Sequence, residues 1–207
     1  DTSKFRILPL GILERENRWA AFQIESVSGY HPAKMGNYSS LMAETGWNYP
    51  GVLQMLNVKY LITLEPLVHP LFHLVHEGSL YVSDKYVNAF IYKFINFENR
   101  FFFTEKLSTL KEDEIFSRIR TPEFSPKKNS FIIKKIPTFK YDESAQVELV
   151  YWSPNRIKIK TVTPSPQFLV ISEIFYPNGW EIYMHPDIEI FEVNNVLRGI
   201  FIPQGEI

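Results

Sequence analysis

The stretch SEIFYPNGWEIYMH, Ser172 to His185, has the pattern of two short strands turned back on each other. On the way in, Ile174 and Tyr176 alternate with Glu173 and Phe175. On the way out, Trp180, Ile182 and Met184 alternate with Glu181 and Tyr183. A period of two marks a strand with one buried face. Pro177 presets φ for a turn, and Asn178-Gly179 accept the positive φ that a tight hairpin needs. Trp180, directly after the turn, then has two readings. It closes the end of a core beside Ile182 and Met184, or it offers a flat platform to a ligand.

Outward from this hairpin the pattern stays β. Gln146 to Trp152 alternates, Ser153-Pro154-Asn155 turns, and Arg156 to Val162 alternates with Arg156, Lys158 and Lys160 on the wet face. Ile188 to Val193 and Val196 to Ile202 form another pair joined at Asn194-Asn195. Short strands at regular spacing with turn residues between them predict an antiparallel β-sandwich over residues 140–207. The last residues, Pro203 to Ile207, have the pattern of a turn and the start of one more strand. The expectation is a segment of a longer protein.

Towards the N-terminus helices enter. Phe5 to Leu8 is a strand, and the apolar run Trp19 to Val27 suggests a second. Pro32 suits a helix start and Gly46 the residue after its end, with Met35, Tyr38 and Met42 on one stripe. Pro50 opens a short helix with Leu53 and Leu56 inward, and Val58 to Leu64 is a buried strand. AFIYKFINF and RFFFTEKL, around a turn at Glu98-Asn99, look like strands that return on each other. TLKEDEIFSRIR predicts a helix capped by Thr109, with Ile115 and Ile119 inward. A proline- and charge-rich seam flanks one strand, Phe131 to Ile136, and places a boundary near residue 140. The fold class is α+β: a small α/β part with a mixed sheet over residues 1–139, then the sandwich.

Composition narrows function. In 207 residues, 45% are hydrophobic and 22% charged, the balance of a chain with a real core. Net charge is −1, and the longest basic runs are the pairs Lys127-Lys128 and Lys134-Lys135. That pattern lacks the electrostatic footprint of a nucleic-acid binder. With no cysteine, thiol catalysis and thiolate zinc sites are excluded.

Chemistry-bearing groups are few. His69, His73 and His76 would share a face on a helix and suit zinc. Pro70 and the alternation around His73 point instead to a strand, on which they diverge, so no metal or other cofactor is expected. Glycoside hydrolysis needs two carboxylates across a cleft. Glu173 and Glu181 would lie opposite each other across the hairpin, but acids on a solvated strand face have that pattern too. No Gly-x-Ser-x-Gly, P-loop or Gly-x-Gly-x-x-Gly occurs. Aromatic residues make up 15% of the chain, and Trp47, Tyr49, Trp152, Tyr176 and Trp180 fall at turns or element ends. Rings placed there can stack on a sugar or settle among lipid headgroups. They are the candidate binding residues; no catalytic residue is assigned.

YPNGW followed by NNVLRGIFIPQGEI resembles the YfhO family of bacterial polytopic membrane proteins, in the extracytoplasmic part near their C-terminus. That family shows a Pro-x-Gly-Trp hairpin, an Asn, a few apolar residues and a Pro-x-Gly turn. Pro177, Gly179, Trp180, Asn195, Pro203 and Gly205 stand in that order here. SGYHPAKMGNY is similar to the family's Gly-Tyr-x-Pro helix start, and LNVKYLI to its Leu-Asn-Val-Lys-Tyr strand. IYKFINFENRFFF departs from the family pattern, with Asn99 where proline precedes the arginine and Phe102 in place of a small residue.

The resemblance implies a parent of the lipid-linked-sugar glycosyltransferase type, with its catalytic carboxylate elsewhere. This chain would be a non-catalytic extracytoplasmic domain at the bacterial cell membrane, anchored by helices it does not contain. Its partners would be the membrane-embedded part of the same polypeptide and a glycan or lipid-linked sugar. A free carbohydrate-binding module and a small soluble glycosidase stay open as alternatives.

Overall fold

The computed structural model describes residues 4–33, 35–183, 185 and 187–207. Its helices among these are α1 (Gly36–Thr45), α2 (Pro50–Met55) and α3 (Glu112–Ile119). The chain forms two units: residues 1–35 with 53–100, and residues 36–52 with 101–207. The division falls inside α2 and again after Arg100, so residue 140, where composition suggests a seam, lies within the second unit.

The first unit is built on a five-stranded mixed sheet. Its strands are β1 (Arg6–Pro9), β2 (Glu25–Ser26), β3 (Val58–Thr63), β4 (Phe72–Val82) and β5 (Lys85–Phe94), in the order β2-β1-β3-β5-β4. The β2-β1-β3 pairs are parallel and the β3-β5-β4 pairs antiparallel. Residues 19–27 hold only the two-residue strand β2; 3-10 turns occupy Gly11–Arg15 and Arg18–Phe22. Trp19-Ala20-Ala21-Phe22 lacks the alternation of a strand, and the turn buries Trp19 while Phe22 stays exposed. Trp19 joins Ile7, Leu13, Ile62 and Val82 in one apolar cluster. Ser83 and Asp84, both at positive φ, make the tight turn between β4 and β5.

Charge is buried in this unit with its partners in place. Arg100 is almost wholly enclosed and pairs with Glu25, and it donates to the side-chain amide oxygen of Asn57. Asn57 takes positive φ just beyond α2 and donates its amide to the Glu98 carbonyl. Breaking a buried pair would leave an uncompensated charge, so these groups specify how the loops meet.

The second unit is a sandwich with a helical layer. β6 (Phe101–Phe103), β7 (Leu107–Thr109), β8 (Ser130–Ile132), β9 (Gln146–Ser153), β10 (Arg156–Thr163), β11 (Gln167–Ile174), β12 (Ile190–Val193), β13 (Leu197–Ile202) and β14 (Gly205–Glu206) follow in chain order. One antiparallel sheet runs β12-β13-β11-β6, the other β14-β10-β9, and β7 pairs with β8 in parallel. Phe101, Phe103, Leu169, Ile200 and Ile202 from the first sheet pack with Val147, Leu149, Ile157 and Ile159 from the second. This is the sandwich core, and Arg156, Lys158 and Lys160 face water opposite it. β6 explains the position of the boundary: Phe101–Phe103 hydrogen-bonds to β11, whereas β5 pairs with β3 and β4. IYKFINF and RFFFTEKL therefore serve different sheets and do not form a hairpin.

Other local differences have physical causes. α1 begins at Gly36 and buries Leu41 and Thr45 rather than the stripe containing Tyr38 and Met42. Thr45 returns its hydroxyl to the Leu41 carbonyl at 2.7 Å. α3 is capped at Lys111, whose N–H donates to the Glu114 carboxylate at 3.1 Å, while Thr109 belongs to β7. Its inward residues are Ile115 and Ile119, as the periodicity predicts. Phe131 to Ile136 contributes only the three-residue strand β8, parallel to β7.

Gly199 tests the packing of the layers. A Cβ there would stand 2.5 Å from both Phe168 Cε1 and Val193 Cγ2, two buried groups with no room to withdraw. Gly199→Ala should destabilise the chain by about 2 kcal/mol, as overpacking of a filled core does. Urea denaturation monitored by tryptophan fluorescence measures it, and an unchanged midpoint would contradict the packing described.

Candidate functional site

The opening hairpin is only half formed. β11 ends at Ile174, opposite Leu197 of β13, and one further bond, Phe175 N–H to the Val196 carbonyl at 2.8 Å, extends the pairing. The Gly179 N–H then closes a turn on the Tyr176 carbonyl at 3.1 Å. Residues 180–183 make no strand, and Met184 lies outside the described residues. The place of the second leg beside β11 is taken by β13, which carries β12 on its other side. Glu173 and Glu181 therefore do not face each other across a ladder. The strand-based reason for placing Trp180 in the core falls with it.

The loop instead lines, together with residues of β12 and β13, an open groove of about 390 Å³. Tyr176, Asn178, Trp180 and Glu181 line it from the loop, Ile190 from β12 and Arg198 from β13. Asn178 takes positive φ, and a Cβ on Gly179 would collide with the Tyr176 ring. Glycine is needed there because the ring lies against the backbone. Asn37 of α1 donates its amide to the Phe175 carbonyl at 3.0 Å and fixes where the loop begins.

Trp180 is half-buried and stacks over Arg198, with the guanidinium carbon 4.2 Å from the ring centroid. Arg198 donates Nε–H to the Ile174 carbonyl at 3.0 Å and is 7% exposed. Burial pushes its pKa below the usual arginine value, and the Glu173 charge acts in the opposite direction. Nothing in the aromatic pattern identifies Arg198, yet the sequence carries a signal: it is the single charge within the buried run Val196 to Ile202.

Of the five predicted binding residues, the groove brings together Tyr176 and Trp180. Trp152 packs on the sandwich cluster from β9 and is not among the groove's lining residues. Trp47 and Tyr49 sit half-buried between α1 and α2 and do not line it either. The histidines lie along an edge: His73 and His76 on β4 oppose Lys93 and Ile91 across the ladder, and His69 bridges to Phe72.

A larger cavity, about 450 Å³, lies in the first unit beside Trp19, Glu25 and Ser26. The Trp19 indole N–H has no hydrogen-bond partner among the described residues. Both carboxylates in that cavity are already engaged, Glu25 by Lys4, Arg6 and Arg100 and Glu16 by Arg18. Chemically the cavity is neutralised, whereas the Trp180 groove presents an aromatic platform, an amide and a guanidinium. The groove can hold a polar, ring-shaped ligand. Glu181 is its one carboxylate among the described lining residues, short of the pair that hydrolysis of a glycoside requires.

Glu192, opposite Arg198 in the ladder, makes stability depend on pH. Burial raises its carboxyl above the ordinary value of 4.5, an Asn37 hydrogen bond lowers it, and the Glu112 charge raises it. An acid with a higher pKa folded than unfolded binds more protons in the native state. Its contribution to stability is therefore complete below 4.5 and is lost as pH rises through the native value. Glu192→Gln should raise the urea midpoint near pH 7, with the difference from the parent vanishing near pH 4. A variant less stable than the parent at neutral pH would refute this. No protein-family model, curated protein or solved structure matches the chain, so the chemistry of the groove is read from its own residues.

Proposed function

We propose that this chain is a non-catalytic, glycan-contacting domain on the extracytoplasmic side of a bacterial membrane protein, resembling the YfhO family and of the lipid-linked-sugar glycosyltransferase type. It positions a glycan or acceptor rather than transforming it. The observation that carries the reading is the convergence of Tyr176 and Trp180 on one groove, beside Asn178, Glu181 and Arg198. A sugar ring has an apolar C–H face and a rim of hydroxyls. An indole held in place by stacking meets the first, and side-chain amide, carboxylate and guanidinium meet the second.

The family resemblance supports the location. Its residues Pro177, Gly179 and Trp180 build the groove loop, and Asn195 belongs to the turn before Arg198. No helix among the described residues is long and apolar enough to cross a membrane. The spans this reading requires would belong to other parts of the polypeptide, with the membrane-embedded portion as the domain's partner.

Binding of the purified 207-residue chain to an array of bacterial surface glycans tests the proposal. Retained signal is expected, with Trp180→Ala and Tyr176→Ala each weakening it by about tenfold, the scale of a lost aromatic anchor. No release of aryl alcohol from aryl glycosides should occur. Absence of all glycan binding would overturn the reading, as would binding indifferent to both substitutions. Turnover lost in Glu181→Gln would overturn its non-catalytic part.

A further inference from the structure

We propose that the Trp180 groove selects anionic saccharides, seating a carboxylate or phosphate of the sugar on the Arg198 guanidinium while the ring lies against Trp180. This deepens the glycan reading given above and rests on it.

Arg198 stands in an apolar strand between Leu197 and Gly199-Ile200, on the same face as the sandwich residues Ile190 and Ile200. A cation enclosed to this extent is costly unless a counter-charge accompanies it. The other cation buried to this extent among the described residues, Arg100, has Glu25. Arg198 has no such partner. Among the described residues no carboxylate comes within 4.0 Å of it. Glu192, directly opposite, is held by Asn37, and Glu173 acts on it only at longer range.

The hydrogen-bond count leads to the same place. A guanidinium carries five N–H donors in a rigid fork. Only Nε–H is used, on the Ile174 carbonyl. The Nη groups donate to no described residue, and neither is a sealed, unsatisfied buried atom. Each therefore keeps some access to solvent, and Arg198 is a lining residue of the groove. Trp180 covers one side of the guanidinium and so fixes its orientation. An oriented fork with free donors at the floor of a groove is the complement of a planar or tetrahedral oxyanion. The lowered pKa of Arg198, caused chiefly by burial, agrees with a cation short of compensation.

Two sources supply that chemistry, a uronate carboxylate and a sugar phosphate. Glu181 is exposed, so its charge opposes an anion only through screened solvent.

The full 207-residue chain is titrated with methyl glucoside, methyl glucuronide, glucose 1-phosphate and inorganic phosphate, followed by tryptophan fluorescence and indole N–H chemical shifts. At least one charged sugar should bind about tenfold more tightly than methyl glucoside, the gain typical of a charge-assisted fork. Raising NaCl from about 50 to about 500 mM should weaken the gain only in part, because a pair seated on a buried guanidinium is screened less than a surface pair. Glu181→Gln should tighten the charged sugar. Arg198→Gln should equalise charged and neutral sugars, and Arg198→Lys should keep only part of the preference. If Arg198→Gln does not fold, the parent's preference for a charged over a neutral sugar still decides, together with the partial loss in Arg198→Lys.

Glucuronide preferred over glucose 1-phosphate identifies the carboxylate, and the reverse identifies phosphate. Equal binding of glucoside and both charged sugars would overturn the anion inference while leaving the glycan reading intact. Binding of inorganic phosphate as tight as glucose 1-phosphate, with no sugar bound otherwise, would instead remove the glycan reading, and this inference with it.

Discussion

Both backbone polar groups of Phe131 are held by one residue. Asn194 donates its N–H to the Phe131 carbonyl and accepts the Phe131 N–H on its side-chain oxygen, each at 2.8 Å, with no part of Asn194 exposed. Its amide also reaches the Ser130 hydroxyl, and Asn195 donates to the Glu112 carbonyl at 3.0 Å. Buried backbone groups left unpaired are expensive, so this clamp fixes how β8 and α3 lie on the turn between β12 and β13. The layering of the second unit depends on it.

The clamp also places the groove. Asn194 and Asn195 both take positive φ, the conformation of a two-residue turn whose twist matches its strands. With the turn so set, β13 leaves in one register: Leu197 opposite Val193, Arg198 opposite Glu192, Gly199 opposite Phe191. A slip of one residue would send Arg198 to the Phe168 face and Gly199 to the sandwich core. Gly199 is small because Phe168 and Val193 crowd it, and its neighbour Arg198 thereby faces Trp180. Site geometry is here a consequence of turn chemistry and core packing.

Strands with clean alternation were legible in the sequence because period two maps directly onto one buried face. Gln146 to Trp152, Arg156 to Val162 and the Asn194-Asn195 pair are found within a residue or two of expectation. Non-local pairing was not legible. YPNGW carries every local sign of a hairpin, yet Ile174 pairs with Leu197 rather than with a partner across the turn. Local turn propensity cannot outweigh the burial gained when β13 occupies that edge. Phe101–Phe103 shows the same limit, since three aromatic residues state that a strand is buried but not in which sheet. Half of the candidate site was marked in the sequence as turn aromatics, Tyr176 and Trp180. The other half, Arg198, looked like an interruption of a core strand, and only its stacking under Trp180 makes it part of a site.

Of the residues that define the family pattern, Trp180 is the one that also carries the groove's chemistry, with Tyr176, Asn178, Glu181 and Arg198 outside that pattern. Gly179 gives the Tyr176 ring its place, and Asn195 turns the chain into β13. Pro203 offers its carbonyl to the Thr163 hydroxyl at 2.7 Å. Gly205, at a φ of 130°, lets the chain pair with β10, where Ile207 and Thr161 exchange backbone hydrogen bonds. These are shape-forming roles, satisfied whatever the groove holds. A resemblance built from them speaks to how the loop and strands are arranged. The charge of the groove is set by Arg198 and Glu181, where a single exchange would alter it without disturbing the turn residues.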